Sequence, residues 1–136
     1  MAVVEEIIRV EGDGSISFGN HLLDIKTKVS DFEFGGDVYK VKTFGEITKL
    51  EKNGLFIYES VPGSSVHSLK LTDAGMEFSV ESADDAQITV ELDSDTEYTL
   101  YLDGVNAGTT KSNLSGKVML SVLASNGATK VKIVKA

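Results

Sequence analysis

The sequence predicts an all-β protein, a single antiparallel β-sandwich of jelly-roll type with about ten to twelve short strands. Turn signals recur along the whole chain, the runs between them alternate apolar and polar residues, and no segment has the periodicity of a long amphipathic helix. Asn and Gly adopt positive φ at low cost and form the turns that join antiparallel strands. The turn signals are Asn53-Gly54, Asp73-Ala74-Gly75, Asp103-Gly104, Ser115-Gly116 and Asn126-Gly127.

The first half of the chain predicts six strands, some clearer than others. In chain order they cover residues 3–10, 15–18, 23–29, 38–43, 47–51 and 55–61. The first has a mixed period, whereas 23–29 alternates strictly and places Leu23 and Ile25 on its inward face. The last two flank Asn53-Gly54 and form the clearest hairpin in the sequence.

The second half predicts further strands after a short Pro- and Gly-containing loop at 62–65. This loop is a possible sub-boundary within one domain that covers residues 1–136. Beyond it, apolar residues at alternate positions mark the inward faces of six strands. The residues expected in the core are Leu69, Phe78, Val90, Leu100, Leu120 and Ile133.

Composition and charge exclude several function classes. The 13 basic and 21 acidic side chains give a net charge of −8 without a basic block, which disfavours binding to nucleic acid or to an anionic membrane. No apolar run reaches the roughly 20 residues that cross a membrane as a helix. The acidic start and the absence of cysteine lead us to expect a cytoplasmic protein, although export by another route is compatible with them.

Two stretches carry resemblances to known proteins. The run 97–108, followed by Ser115-Gly116-Lys117-Val118 and by 128–133, resembles the β-sandwich end-domains of polysaccharide-active enzymes. The chain as a whole, including 8–11, 36–43 and 113–117, resembles small bacterial proteins often labelled "endosialidase catalytic beta chain". The resemblance implies an all-β fold and a connection with polysaccharides.

Catalysis is not expected. A sialidase binds the carboxylate of its substrate with several guanidinium groups, and this chain has a single arginine, Arg9. The two histidines, His21 and His67, are not adjacent to a recognisable nucleophile. We expect His21 at a strand entrance and His67 partly buried with backbone partners, on the same face as Leu69. The sequence therefore predicts a protein that is not an enzyme.

Two acidic loops offer a weak calcium signal, and no other cofactor is expected. Asp84 and Asp85 lie in one loop, and Asp93 and Asp95 lie in the next. Oxygen ligands at such positions suit a hard cation, but neither loop has the full spaced ligand set with its glycine, so a solvated turn is the favoured interpretation. The strand between the loops should hold them roughly 17–20 Å apart, too far for a glycosidase acid pair.

Two functions remain open, and they rest on different residues. The first is a structural or scaffolding protein that associates with copies of itself, through Val4 and Ile8 of the apolar first strand and through Tyr101. The alternative is a carbohydrate-binding or accessory module of a separate polysaccharide-active enzyme, with Tyr39, Tyr58 and Tyr101 as candidate platforms. Tyr101 belongs to both hypotheses because it lies opposite the expected core face of its strand.

Overall fold

Two antiparallel sheets of seven and six strands form this protein. A computed structural model describes residues 3–124 and 127–136, of which none lies in an α-helix. Strand accounts for 64% of the described residues. The all-β prediction and the prediction of a sandwich are confirmed.

The described residues contain thirteen strands, slightly more than the sequence predicts. The seven-stranded sheet has the order β1-β2-β7-β8-β13-β10-β11, and the six-stranded sheet has the order β12-β9-β6-β5-β4-β3. The bounds are β1 Ile8–Val10, β2 Ile16–Phe18, β3 Thr27–Phe34, β4 Asp37–Phe44, β5 Ile47–Lys52, β6 Leu55–Val61, β7 Ser64–Thr72, β8 Gly75–Ser82, β9 Ala86–Glu91, β10 Glu97–Leu102, β11 Val105–Lys111, β12 Lys117–Val122 and β13 Thr129–Lys135.

The core lies between the two sheets and is built from their inward faces. Tyr58 of the six-stranded sheet packs edge-on between Phe18 and Phe78 of the other sheet, with ring centroids 5.3 and 5.5 Å apart. Five of the six predicted core residues are buried, and the sixth, Leu100, is partly buried against the same cluster. Burial of this apolar surface is the main stabilising term of such a sandwich.

The predicted turns form where Asn, Asp and Gly allow positive φ. Asn53 and Gly54 have φ of 54° and 77°, and Asp103 and Gly104 have 51° and 82°, as two-residue hairpin turns require. Of the predicted pair Asn126-Gly127, Asn126 lies outside the described residues.

Three segments differ from the prediction. The predicted strand 3–10 is regular only as β1, because Ile7 has a φ of 73° that interrupts extended backbone. The strand predicted at 23–29 begins at Thr27, and Ile25 is 78% exposed rather than inward. β11 was not predicted, since its small and polar residues carry no apolar alternation.

The loop at 62–65 carries the chain from one sheet to the other. β6 belongs to the six-stranded sheet, and β7, which begins at Ser64, belongs to the seven-stranded sheet. The Pro and Gly signal in the sequence therefore coincides with a crossing between the layers of the sandwich.

Candidate functional site

The lysines divide into two groups according to whether they form an ion pair. Six of the twelve lie within 4 Å of a carboxylate: Lys49, Lys52, Lys70, Lys111, Lys117 and Lys135. The other six, Lys26, Lys28, Lys40, Lys42, Lys130 and Lys132, have no such partner in the described part of the chain. These six ammonium groups form no ion pair although acidic residues outnumber basic ones. They are therefore available for a ligand. They occupy two surfaces, one on each sheet.

The first surface is a pocket on the outer face of the seven-stranded sheet. It has a volume of about 420 Å³ and is lined by Tyr101, Gly104, Lys130, Lys132 and Val134. This volume lies within the range typical of small-molecule sites. The pocket therefore combines one aromatic ring with two ammonium groups that no carboxylate of the described chain neutralises.

The register of β10 and β13 sets the geometry of this pocket. Tyr101 is the cross-strand partner of Lys132, and its neighbours Leu100 and Leu102 pair with fully buried residues of β13. Because side chains alternate along a strand, Tyr101 lies on the outer face, as the sequence predicts. The backbone at the pocket's end is fixed, since Lys130 N donates to Asp103 Oδ1 at 2.8 Å.

On its other side, Tyr101 pairs with β11 next to a bulge. Leu100 pairs with Gly108 and Tyr101 pairs with Asn106, so Ala107 is the extra residue. The Tyr101 ring is half-buried, and its hydroxyl has no hydrogen-bond partner among the described residues. An aromatic face and a free hydroxyl beside two lysines can bind a ligand with an apolar face, hydroxyl groups and negative charge.

A larger cleft of about 640 Å³ lies between the sheets, at the ends of β5, β6 and β13. Both lysines that line it, Lys52 and Lys135, are already paired within the chain. Lys135 Nζ lies 2.8 Å from Asp93 Oδ2, and Lys117 Nζ lies 5.1 Å from the centroid of the Phe56 ring. Size favours this cleft, but its chemistry is internally satisfied, so we regard the Tyr101 pocket as the stronger candidate.

Tyr39 and Tyr58 are not surface platforms, and their assignment as ligand-binding residues is wrong. Tyr58 is fully buried, its Oη lies 2.7 Å from Ser64 Oγ, and burial raises its pKa above the ordinary value. Tyr39 is 8% exposed and belongs to the core cluster. Alternation predicts that a residue lies on one of two faces, but it does not say which face is buried.

Val4 and Ile8 do not form a subunit contact surface. Val4 is fully buried, and Ile8 is 3% exposed within the core cluster of the same chain. The segment is held by hydrogen bonds from Val4 N to Gly19 O at 3.1 Å and from Gly19 N to Ile7 O at 2.9 Å. The cover that we expected from a second copy is thus supplied within the chain.

The four aspartates of the calcium hypothesis are used in other ways or remain apart. Asp93 and Asp95 pair with Lys135 and Lys111, while Asp85 accepts the N–H of Ala124 at 2.9 Å. Asp84 is exposed. Among the described residues, no three His, Cys, Asp or Glu side chains are grouped closely enough to hold a metal ion. The calcium hypothesis gains no support from this arrangement.

His21 approaches a serine, but the pair is not accessible. His21 Nδ1 lies 2.7 Å from Ser65 Oγ, and Ser65 is fully buried in strand β7. Burial is also the main cause of the lowered pKa of His21. A nucleophile must reach the reacting atom of its substrate, and this hydroxyl does not reach the surface. The pair is a structural contact between the 19–26 segment and β7.

His67 lies on the opposite face from the one that the sequence predicts. Ser68 has a φ of 58° at a bulge in β7, which turns His67 outward while Leu69 stays in the core. Its Nδ1 is buried without a hydrogen-bond partner, so the expected backbone contact is absent at that atom. Burial and the nearby Arg9 guanidinium lower the pKa of His67.

Sequence reasoning identified Tyr101 but missed Lys130 and Lys132. Both lie in the alternating run of β13, and alternation does not distinguish a lysine beside a pocket from any other outward-facing lysine. No helix of the described residues is long and apolar enough to cross a membrane. Comparisons of the chain with family models, with curated proteins and with solved structures found no match.

Proposed function

We propose that this protein is a non-catalytic glycan-binding β-sandwich whose site is the Tyr101 pocket. The observation that carries the proposal is the position of the half-buried Tyr101 ring in one pocket with two lysines of β13 that have no carboxylate partner in the described part of the chain. A flat aromatic ring offers its face to the apolar face of a sugar, and the lysines donate to oxygen atoms around the ring. The pocket lies on a sheet face, where regular strands hold its residues in place.

Binding without catalysis agrees with the chemistry around the pocket. The residues that line it are Tyr101, Gly104, Lys130, Lys132 and Val134, and they include no carboxylate that could serve as an acid or a base. Glycoside hydrolysis uses a pair of such groups. The pocket can therefore hold a sugar without supplying the groups that cleave it.

The experiment is a binding screen with immobilised glycans, followed by affinity measurements on Tyr101→Ala. We expect the substitution to weaken binding about tenfold, the effect of about 1.4 kcal/mol of lost ring contact. Phe56→Ala is the matched control, because Phe56 is a half-exposed ring in the other cleft. Chemical-shift changes on titration should centre on β10 and β13.

Two results would count against this proposal. One is the absence of binding to any neutral or charged glycan at millimolar concentration. The other is an affinity that Tyr101→Ala leaves unchanged and Phe56→Ala reduces, which would move the site to the cleft between the sheets. The circular-dichroism spectrum of each variant should match that of the parent protein, because neither ring belongs to the core cluster.

A scaffolding function through self-association is the second candidate, and the edge strand β11 favours it. β11 pairs with β10 on one side only, and all but one of its seven residues are exposed. An unpaired edge can accept a strand from a second copy, and two-fold pairing would give a closed dimer. Light scattering should then report a mass above 14.6 kDa.

The variant that tests this second candidate is Thr109→Lys in the middle of β11. A charge on an edge strand opposes pairing with another strand, so the mass should fall to that of the monomer. Ile8→Asp is unsuitable, because Ile8 is buried and the variant would unfold instead of dissociating. A monomeric parent protein at tens of micromolar would end the scaffolding hypothesis.

A further inference from the structure

A second set of lysines, four of them without an ion pair in the described part of the chain, forms a compact patch on the outer face of the six-stranded sheet. We name it the lysine patch, and it consists of Lys26, Lys28, Lys40, Lys42 and Lys49. Lys28 is the cross-strand partner of Lys42, and Lys42 is the partner of Lys49. Three lysines therefore lie side by side on β3, β4 and β5.

Most of this charge is not compensated within the chain. Lys49 Nζ lies 3.5 Å from Glu51 Oε2, while Lys26 Nζ lies 5.9 Å from the centroid of the Phe44 ring. The remaining three lysines of the patch have no carboxylate within 4 Å in the described residues. Without the patch, eight basic side chains remain against 21 acidic ones. Five of the 13 basic side chains thus lie on one sheet face, where Glu51 is opposite Lys40 and Glu59 is opposite Lys49.

The arrangement is unfavourable for the isolated sheet. Like charges at directly opposite positions destabilise an antiparallel pair, and this face has two such pairs in adjacent ladders. Lysine on an edge strand also discourages unwanted pairing, which accounts for Lys28 on β3. That explanation does not extend to Lys40, Lys42 and Lys49, which lie on the interior strands β4 and β5.

We infer that the lysine patch binds an acidic polysaccharide, a chain of sugars with carboxylate or sulfate groups. The strands that carry these lysines lie about 4.8 Å apart, and residues on the same face of one strand are about 7 Å apart along the backbone. This spacing suits a polymer with roughly one charge per sugar better than a nucleic acid duplex, which has one charge per roughly 1.7 Å. The patch lies on the other sheet from the Tyr101 pocket and does not depend on the function proposed there.

The polar lining of the depression between these lysines favours a sugar chain over a protein partner. The depression among these side chains is lined by Lys28, Lys40, Lys42, Lys49 and Glu51 alone. Protein interfaces draw most of their affinity from buried aromatic and apolar anchors, often with arginine. A hydrophilic polyanion needs none of these, and flexible lysines adapt to carboxylate groups at uneven spacing.

The test measures binding of polygalacturonate, which carries one carboxylate per sugar, with neutral dextran as the uncharged comparison. The patch variant is Lys28→Gln/Lys40→Gln/Lys42→Gln. The control variant, Lys52→Gln/Lys111→Gln/Lys117→Gln, has the same net charge but loses only lysines that form ion pairs. We expect the patch variant to bind about tenfold more weakly and the control to change less than twofold. The affinity should also fall between 50 and 200 mM salt, because contacts between the lysines and a polyanion release bound counterions and added salt opposes that release.

Several outcomes would overturn the inference. One is an equal loss of polygalacturonate affinity in the patch variant and the control variant, and another is equal binding of dextran and polygalacturonate. The others are tighter binding of polyglutamate or duplex DNA than of polygalacturonate, and no binding of polygalacturonate in 50 mM salt. Tyr101→Ala separates the two proposals. If it abolishes polygalacturonate binding while the patch variant retains it, the pocket is the glycan site and the patch inference fails. If the reverse holds, the patch inference stands and the proposed pocket fails.

Discussion

Replacing Ser64 with alanine tests a buried group of hydroxyls that joins the two sheets. Ser64 Oγ lies 2.7 Å from Tyr58 Oη and 2.6 Å from Ser60 Oγ, and all three residues are buried. Ser64→Ala leaves two buried hydroxyls without their shared partner. Each unsatisfied group costs about 1–3 kcal/mol, so we expect a loss of roughly 2–4 kcal/mol in the free energy of unfolding. For a domain of this size the melting temperature should fall by about 8–15 °C.

Urea unfolding followed by circular dichroism measures this loss, and a double-mutant cycle tests its cause. Tyr58→Phe alone should cost about 1 kcal/mol, because Ser64 keeps one hydroxyl partner. In the Ser64→Ala background, Tyr58→Phe removes an unsatisfied group and should cost nothing or restore stability. Additive losses from the two substitutions would refute the argument that the hydroxyls act as one network.

Three further predictions follow from individual contacts. Gly63→Ala should destabilise the protein by about 2 kcal/mol or more, since a Cβ there would lie 1.9 Å from the Phe44 carbonyl oxygen. Gly12→Ala is the control and should be neutral in the same thermal melts, because a Cβ at that position would have no atom within 4 Å. Burial lowers the pKa of His67 in the folded state, so the folded protein loses stability relative to the unfolded chain as pH falls below about 6.5. His67→Gln should therefore make the free energy of unfolding depend less on pH between 7.5 and 5.5. The purified protein should release no sialic acid from a sialoside, and turnover that disappears in Arg9→Ala would show a site shared between subunits.

Much of the fold could be predicted because turn chemistry and alternation are local properties. The hairpin of β5 and β6 follows from Asn53-Gly54, and both residues have the positive φ that this turn requires. The core face of β8 follows from Met76, Phe78 and Val80 at alternate positions, all of which are buried. These elements depend on neighbours in sequence, so a single sequence is enough to locate them.

The errors occur where backbone geometry departs from the pattern. Ile7 and Ser68 have positive φ although neither residue type favours it, and each reverses or ends the alternation around it. The first displaces strand β1, and the second moves His67 to the outer face. Such conformations are held by tertiary contacts, as when Gly19 N donates to Ile7 O at 2.9 Å, and a local pattern carries no sign of them.

The candidate sites depend on strand register, which explains why the sequence indicated only part of them. Tyr101 is recognisable from alternation, but its neighbour Lys132 becomes a neighbour only when β13 pairs with β10. In the same way, Lys28 and Lys42 are fourteen positions apart in the chain and adjacent in the sheet. The order β8-β13-β10 joins strands that are distant in sequence, and periodicity alone does not determine such an order.

Net charge is therefore a poor guide to what this surface binds. The value of −8 describes the long-range field, which salt screens beyond about 8 Å under physiological conditions. A ligand in contact with the lysine patch or with the Tyr101 pocket meets local ammonium groups that no carboxylate of the described chain neutralises. The acidic remainder of the surface then opposes the approach of large, densely charged polyanions and leaves shorter or sparsely charged ones free to bind. Selectivity for charge density follows from this distribution, and the comparison of polygalacturonate with duplex DNA measures it directly.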